Sequence, residues 1–136
     1  MSRFLRLLLA VVAGLVVGSI VNMALIAVGG KLVASPAGAD VTSMEGLKAS
    51  IHLFEPRHFV FPFLAHALGT LVGALVACRL APGRSAIAAY VVGGLCLLGG
   101  VANAFMLPAP GGFMAADLLL AYLPMAWLGQ ALVRRL

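Results

Sequence analysis

Four long apolar stretches divide the chain, at Leu7–Val28, His58–Cys78, Ala86–Leu107 and Phe113–Val133. Each approaches the roughly 20 residues of helix needed to cross a hydrocarbon core about 30 Å thick. Continuous apolar runs of this length read as helices rather than strands, and a helix satisfies its own backbone groups where lipid offers no partner. The pattern predicts an all-α integral membrane protein, a four-transmembrane-helix bundle forming a single domain over residues 1–136. A secretory signal is the other reading of the first stretch, because Arg3 and Arg6 make a basic start and Ala37-Gly38-Ala39 resembles a cleavage site. A signal core runs only about 7–15 residues, so the longer stretch is read as a span.

The segments between the runs have patterns of their own. Pro36 and Gly38 break the chain after the first span, and Thr42-Ser43-Met44-Glu45 then has capping-box spacing. Met44, Leu47, Ile51 and Phe54 follow on one helical face. A short amphipathic helix over about 43–55 is predicted, lying on the outer membrane surface and ended by Pro56. Pro108-Ala109-Pro110-Gly111-Gly112 predicts a tight uncharged turn. Pro62 and Pro124 fall inside spans and predict kinks that free the carbonyls of His58 and Leu120.

Within the spans, small residues recur at helical spacing: Gly14 and Gly18, Gly69 and Gly73, Gly93 and Gly100. The first two pairs are G-x-x-x-G motifs, GLVVG and GTLVG, which let helix backbones approach closely in a bilayer. Dimerisation through such glycine faces is a further expectation. Polar residues continue the same stripes: Asn22, His66 with Thr70 one turn on, Asn103 and Asp117. A polar side chain in hydrocarbon is costly unless partnered. These five are therefore expected to turn inward and share a pocket in the outer half of the bundle. That pocket is either a hydrogen-bond network joining the helices or a ligand or ion site.

Composition agrees with the pattern. The chain is 63% hydrophobic and 10% charged, against roughly 45–50% and 25% in soluble domains, and its mean hydropathy is +1.14. The net charge of +5 forms no basic stripe interleaved with aromatics, so no nucleic-acid partner is expected. Arg3 and Arg6, Arg79 and Arg84, and Arg134 and Arg135 flank the spans on one side. The positive-inside rule makes that side cytoplasmic, with both termini in. Asp117 falls close enough to the outer surface to be hydrated.

The catalytic and metal signatures are thin. His52-x-x-Glu55-x-x-His58 pairs good zinc ligands, but the spacing is not H-E-x-x-H and Pro56 interrupts the helix. His52, Glu55 and His58 are read as solvated outer-surface residues, and no metal is expected. His58 and His66 share one helix, which argues against a haem, and no other cofactor is expected. Cys78 and Cys96 form no C-x-x-C pair and read as small apolar side chains. Tyr122 and Trp127 read as packing residues. An echo between GALVACRL at 73–80 and GQALVRRL at 129–136 raises the alternative of two parallel hairpins.

The run HLFEPRHFVFPFLAHALGTLVGA at 52–74, with MLPAP at 106–110 and AYLPMAWLG at 121–129, resembles a family of small uncharacterised four-helix bacterial inner-membrane proteins. The resemblance implies that fold and that membrane, and no chemistry. With no catalytic set in view, a non-enzymatic accessory or structural membrane subunit is expected, in contact with membrane lipids and within a homodimer or larger complex. A transporter or small-ligand-binding protein using the polar pocket is the competing expectation.

Overall fold

The computed structural model describes residues 1–136 and is all-helical. Six α-helices follow one another: α1 (Arg3–Leu32), α2 (Met44–Ser50), α3 (Val60–Leu80), α4 (Ala86–Met106), α5 (Gly111–Leu120) and α6 (Leu123–Arg135). Two 3-10 turns, Ile51–Leu53 and Pro56–Phe59, join α2 to α3. Four helical segments are long and apolar enough to cross a membrane, with α5 and α6 together making the fourth.

α3 is the hub, packed against α1 on one side and against α4 and α6 on the other. The α1–α3 contact is built from glycines, with Gly18 over Gly69 and Gly14 over Gly73 in antiparallel register. A β-carbon on Gly18 would lie 2.6 Å from the Gly69 carbonyl oxygen, and one on Gly73 would lie 2.7 Å from that of Gly14. The two G-x-x-x-G motifs are thus used on each other within one chain, and a dimer would need another face.

The two ends of the bundle differ. At the end holding both termini and the Ala81–Ser85 turn, Ala10, Ala74, Ala77, Ala88 and Ala126 close an apolar core around Val92, Val133 and Cys78. Small side chains bring the helices close enough for dispersion to hold them where lipid supplies no hydrophobic drive. Toward the opposite, loop-bearing end sit Asn22, His66, Thr70, Asn103 and Asp117 around two cavities, while the buried Gln130 lies on α6 toward the terminal end, its Oε1 without a hydrogen bond.

α2 is shorter than predicted, and its N-cap is Ser43, whose hydroxyl accepts from the Gly46 N–H at 3.0 Å. Thr42 instead turns back to Asp40, donating its N–H and its hydroxyl to the same carboxylate oxygen at 2.9 and 2.6 Å. The Asp40 N–H in turn donates to Ser50 Oγ at 2.9 Å, so this loop clasps both ends of α2. Ile51 packs inward against Phe59 and Ala109, which lays the segment across the mouth of the bundle.

The Thr42 hydroxyl, and secondarily its N–H, hold the Asp40 carboxyl below its ordinary range. A depressed carboxylate stabilises above the ordinary range, and that contribution is lost as pH falls through the lowered folded-state value. A carboxyl-carbon NMR titration should therefore give Asp40 a midpoint below the usual value of about 3.9. Thr42→Val should move it back up, and an unchanged midpoint would show that the clasp does not set it.

Candidate functional site: a polar junction between two cavities

The fourth span is not one helix. α5 ends at Leu120, α6 starts at Leu123, and Tyr122 lies between them at φ −117°, ψ −79°. Pro124 supplies the reason: it has no N–H to give the Leu120 carbonyl, and its ring clashes with that carbonyl in a continuous helix. No backbone hydrogen bond joins the N–H groups of Tyr122 or Leu123 to the helix before them. At about 1.5 Å per residue, the ten residues of α5 put the break about 15 Å along the fourth span. Pro62 behaves differently from its prediction, falling in the first turn of α3, where the missing N–H has no intrahelical partner to lose.

The break turns Tyr122 back toward Asp117. The Tyr122 hydroxyl donates to Asp117 Oδ2 at 2.9 Å, and His66 Nδ1 stands 2.7 Å from Asp117 Oδ1. The His66 and Tyr122 rings are stacked with centroids 5.9 Å apart. Gly100 on α4 makes room for the phenol, since a β-carbon there would meet the Tyr122 hydroxyl at 2.5 Å. Asp117 is only 5% exposed, so the hydrated placement predicted for it is corrected: the helix break and α3 enclose it. A carboxylate only accepts, so Nδ1 carries the proton shared with Asp117. His66 Nε2 makes no hydrogen bond to the protein and is not sealed from solvent.

Two cavities meet at this triad. One, of about 300 Å³, lies between α1, α3 and α4 and is lined by Ser19, Asn22, His66, Thr70, Cys96 and Asn103, with Tyr122 at its wall. The other, of about 230 Å³, opens toward the loops. It is walled by apolar residues such as Ile51, Phe59 and Phe113, with His66, Asn103 and Asp117 among its polar groups. His66, Gly100 and Asn103 border both.

The five residues predicted to share a pocket thus fall around one junction: Asn22, His66, Thr70 and Asn103 at the first cavity and Asp117 at the second. The three surface candidates do not join them as a group. His52 is exposed, and Glu55 pairs with Arg57 at 3.1 Å in the open. His58 departs from its predicted solvated position: it is buried, its Nδ1 accepts from the Glu55 N–H at 2.8 Å, and its Nε2–H donates to the Ala34 carbonyl at 3.1 Å. With both nitrogens engaged, it ties the first loop to the start of α3. No three His, Cys, Asp or Glu side chains converge as a metal-holding group. Trp127, read as a packing residue, is 56% exposed on α6.

Ser19, which the sequence did not single out, and Tyr122 and Cys96, which it read as packing and small apolar residues, also line the junction. On a continuous helix, Tyr122 would sit five residues from Asp117 and off its face; only the break brings it round. The signal was Pro124, two residues later. No known protein family, no curated protein and no solved structure matches the chain.

Proposed function

We propose that this chain is a small non-enzymatic membrane protein that binds a ligand carrying a polar group at the His66 junction. The supporting observation is unused hydrogen-bonding capacity. The Asn103 amide and His66 Nε2 have no protein partner, and the Asn22 amide reaches only the Met23 sulfur at 3.9 Å. In hydrocarbon, unmet polar groups cost several kcal/mol each. A network serving structure alone would bond these groups to one another, whereas here they border a shared space. The broken α5–α6 span fits the same reading, because non-helical backbone at membrane depth is tolerated where protein or a cavity encloses it.

In this reading the loop-bearing end faces out and both termini are cytoplasmic. Six of the nine Lys and Arg residues flank the termini and the α3–α4 turn, whereas Lys31, Lys48 and Arg57 share the loop end with Asp40, Glu45 and Glu55. The bacterial inner membrane is the compartment, as the resemblance implies. A second reading, an accessory subunit of a larger assembly, is favoured by α1. This helix packs mainly on α3 and leaves Val12, Val16, Ile20 and Met23 exposed.

Two thiol reagents applied to intact cells test the proposal, in a background lacking Cys78 and Cys96: a small uncharged one for the junction and a membrane-impermeant, charged one for the orientation. Cysteine at position 103 or 22 should react with the uncharged reagent and one at position 43 with the charged reagent, while positions 2 and 136 stay protected from the charged reagent. Lipid-facing Gly94→Cys is the unreactive control. Silence at both 22 and 103 would mean a dry, packed junction and would leave the accessory reading standing. Reaction at 2 or 136 with the charged reagent would overturn the orientation.

A further inference from the structure

We infer that the ligand is an uncharged molecule with a compact aromatic body and one hydroxyl or carbonyl group, held with its polar group at His66 and Asn103. This rests on the reading of the junction as a binding site. Charge is the first constraint. No Lys or Arg lines either cavity, so an anionic head would lose its water without meeting a counter-charge. Asp117 is already engaged by His66 and Tyr122, so an ammonium could reach it only by breaking that triad. Burying an unpaired charge is far costlier than burying a polar group that finds a hydrogen bond.

The polar contacts available match a neutral group. With Nδ1 facing Asp117, the His66 ring in its neutral form presents an acceptor at Nε2, and the Asn103 amide offers both donors and an acceptor. A hydroxyl can donate to the first and accept from the second. A carbonyl can accept from the amides of Asn103 and Asn22.

The second cavity sets the body. Phe54, Phe59 and Phe113 line it and form a chain of rings, with centroids 6.0 Å apart for the first pair and 4.8 Å for the second, both tilted. Rings in such a chain present edges and faces to a guest ring, and aromatic pairs add about 0.5–1.5 kcal/mol beyond their buried area. Size narrows the choice further. Ligand pockets run about 300–1,000 Å³, and these two cavities, about 300 and 230 Å³, fall at and below the lower end of that range. One or two rings fit within them.

Photo-crosslinking of the full chain in lipid nanodiscs tests this with three benzophenones that differ only in the para substituent: hydroxymethyl, carboxylate and aminomethyl. Crosslinks on lipid-facing Val12, Val16 and Ile20 report each probe's concentration in the bilayer. After that normalisation, the hydroxymethyl probe should label the Phe113–Leu118 segment saturably, and at least about tenfold more than either charged probe. Asn103→Leu should remove most of the saturable labelling while lipid-facing Leu98→Ala leaves it intact. If Asn103→Leu does not fold, Met114→Trp, which fills the apolar cavity, takes its place. Equal or better capture of a charged probe overturns the inference, as does labelling confined to lipid-facing positions or untouched by a folded cavity variant. The thiol experiment keeps the two levels apart: reaction at position 103 with a charged-probe preference rejects the ligand class alone, whereas silence at 22 and 103 rejects the site.

Discussion

Leucine in place of Gly18 should be among the most damaging single substitutions in the bundle, costing about 3 kcal/mol or more. Overpacking a core usually costs about 1–3 kcal/mol because side chains rotate away. Here the first obstacle is the Gly69 carbonyl oxygen, 2.6 Å from the new β-carbon, and the next is the α-carbon of Gly73 at 3.2 Å. Backbone cannot rotate away, so α1 must lift off α3, and α3 is its principal neighbour. Gly94→Leu is the matched control: nothing lies within 4 Å of its β-carbon position, and surface changes usually stay within about 0.5 kcal/mol. Thermal unfolding of both variants in one detergent gives the comparison. Equal stability would mean that the α1–α3 glycine contact does not hold the bundle together.

The spans were legible because their signal is redundant. Twenty apolar residues in a row admit few structures in lipid, and each predicted span is met by helix. The glycine spacing likewise pointed to close packing, because a smooth helix face has little other use. What could not be read was which face meets which: the motifs at 14–18 and 69–73 suit a second copy as well as each other, and only the tertiary fold decides. The loop before α3 was harder still. Its apolar positions are equally compatible with lying on a membrane and with roofing a cavity, and Ile51 packs inward on Phe59 because α3 begins directly beneath it.

The site was half legible for a related reason. Inward-facing polar residues can be found from the expense of leaving them in lipid, which is how Asn22, His66, Thr70, Asn103 and Asp117 were picked out. Their partners depend on where the fourth span bends. Pro124 announced a disturbance, but a kinked helix and a broken one are indistinguishable in sequence, and only the break swings Tyr122 onto Asp117. His58 misled in the opposite sense: two residues from Pro56 it looked solvated, yet both of its ring nitrogens are engaged by backbone groups.

Asp117→Ala should cost about 3 kcal/mol, because it strands two donors at once. The Tyr122 hydroxyl and His66 Nδ1–H both point at this carboxylate, and each buried donor left unmet costs about 1–3 kcal/mol. Asp117→Asn separates the two roles of the carboxylate. The amide oxygen can still accept from Tyr122, but its NH2 faces Nδ1, so the ring must shift its proton to Nε2 to accept there. Much of the stability should return, while the nitrogen facing the cavities changes from acceptor to donor. Nitrogen NMR of ring-labelled His66 reads the tautomer directly: the wild type should carry its proton at Nδ1 and the Asn variant at Nε2. A tautomer that does not move, or an Ala variant as stable as the wild type, would show that Asp117 does not orient this histidine. If the tautomer moves as expected, Nε2–H joins the Asn103 amide as a donor at the cavity, so a probe whose polar group only accepts, such as unsubstituted benzophenone with its ketone, should be captured better by the Asn variant than by the wild type.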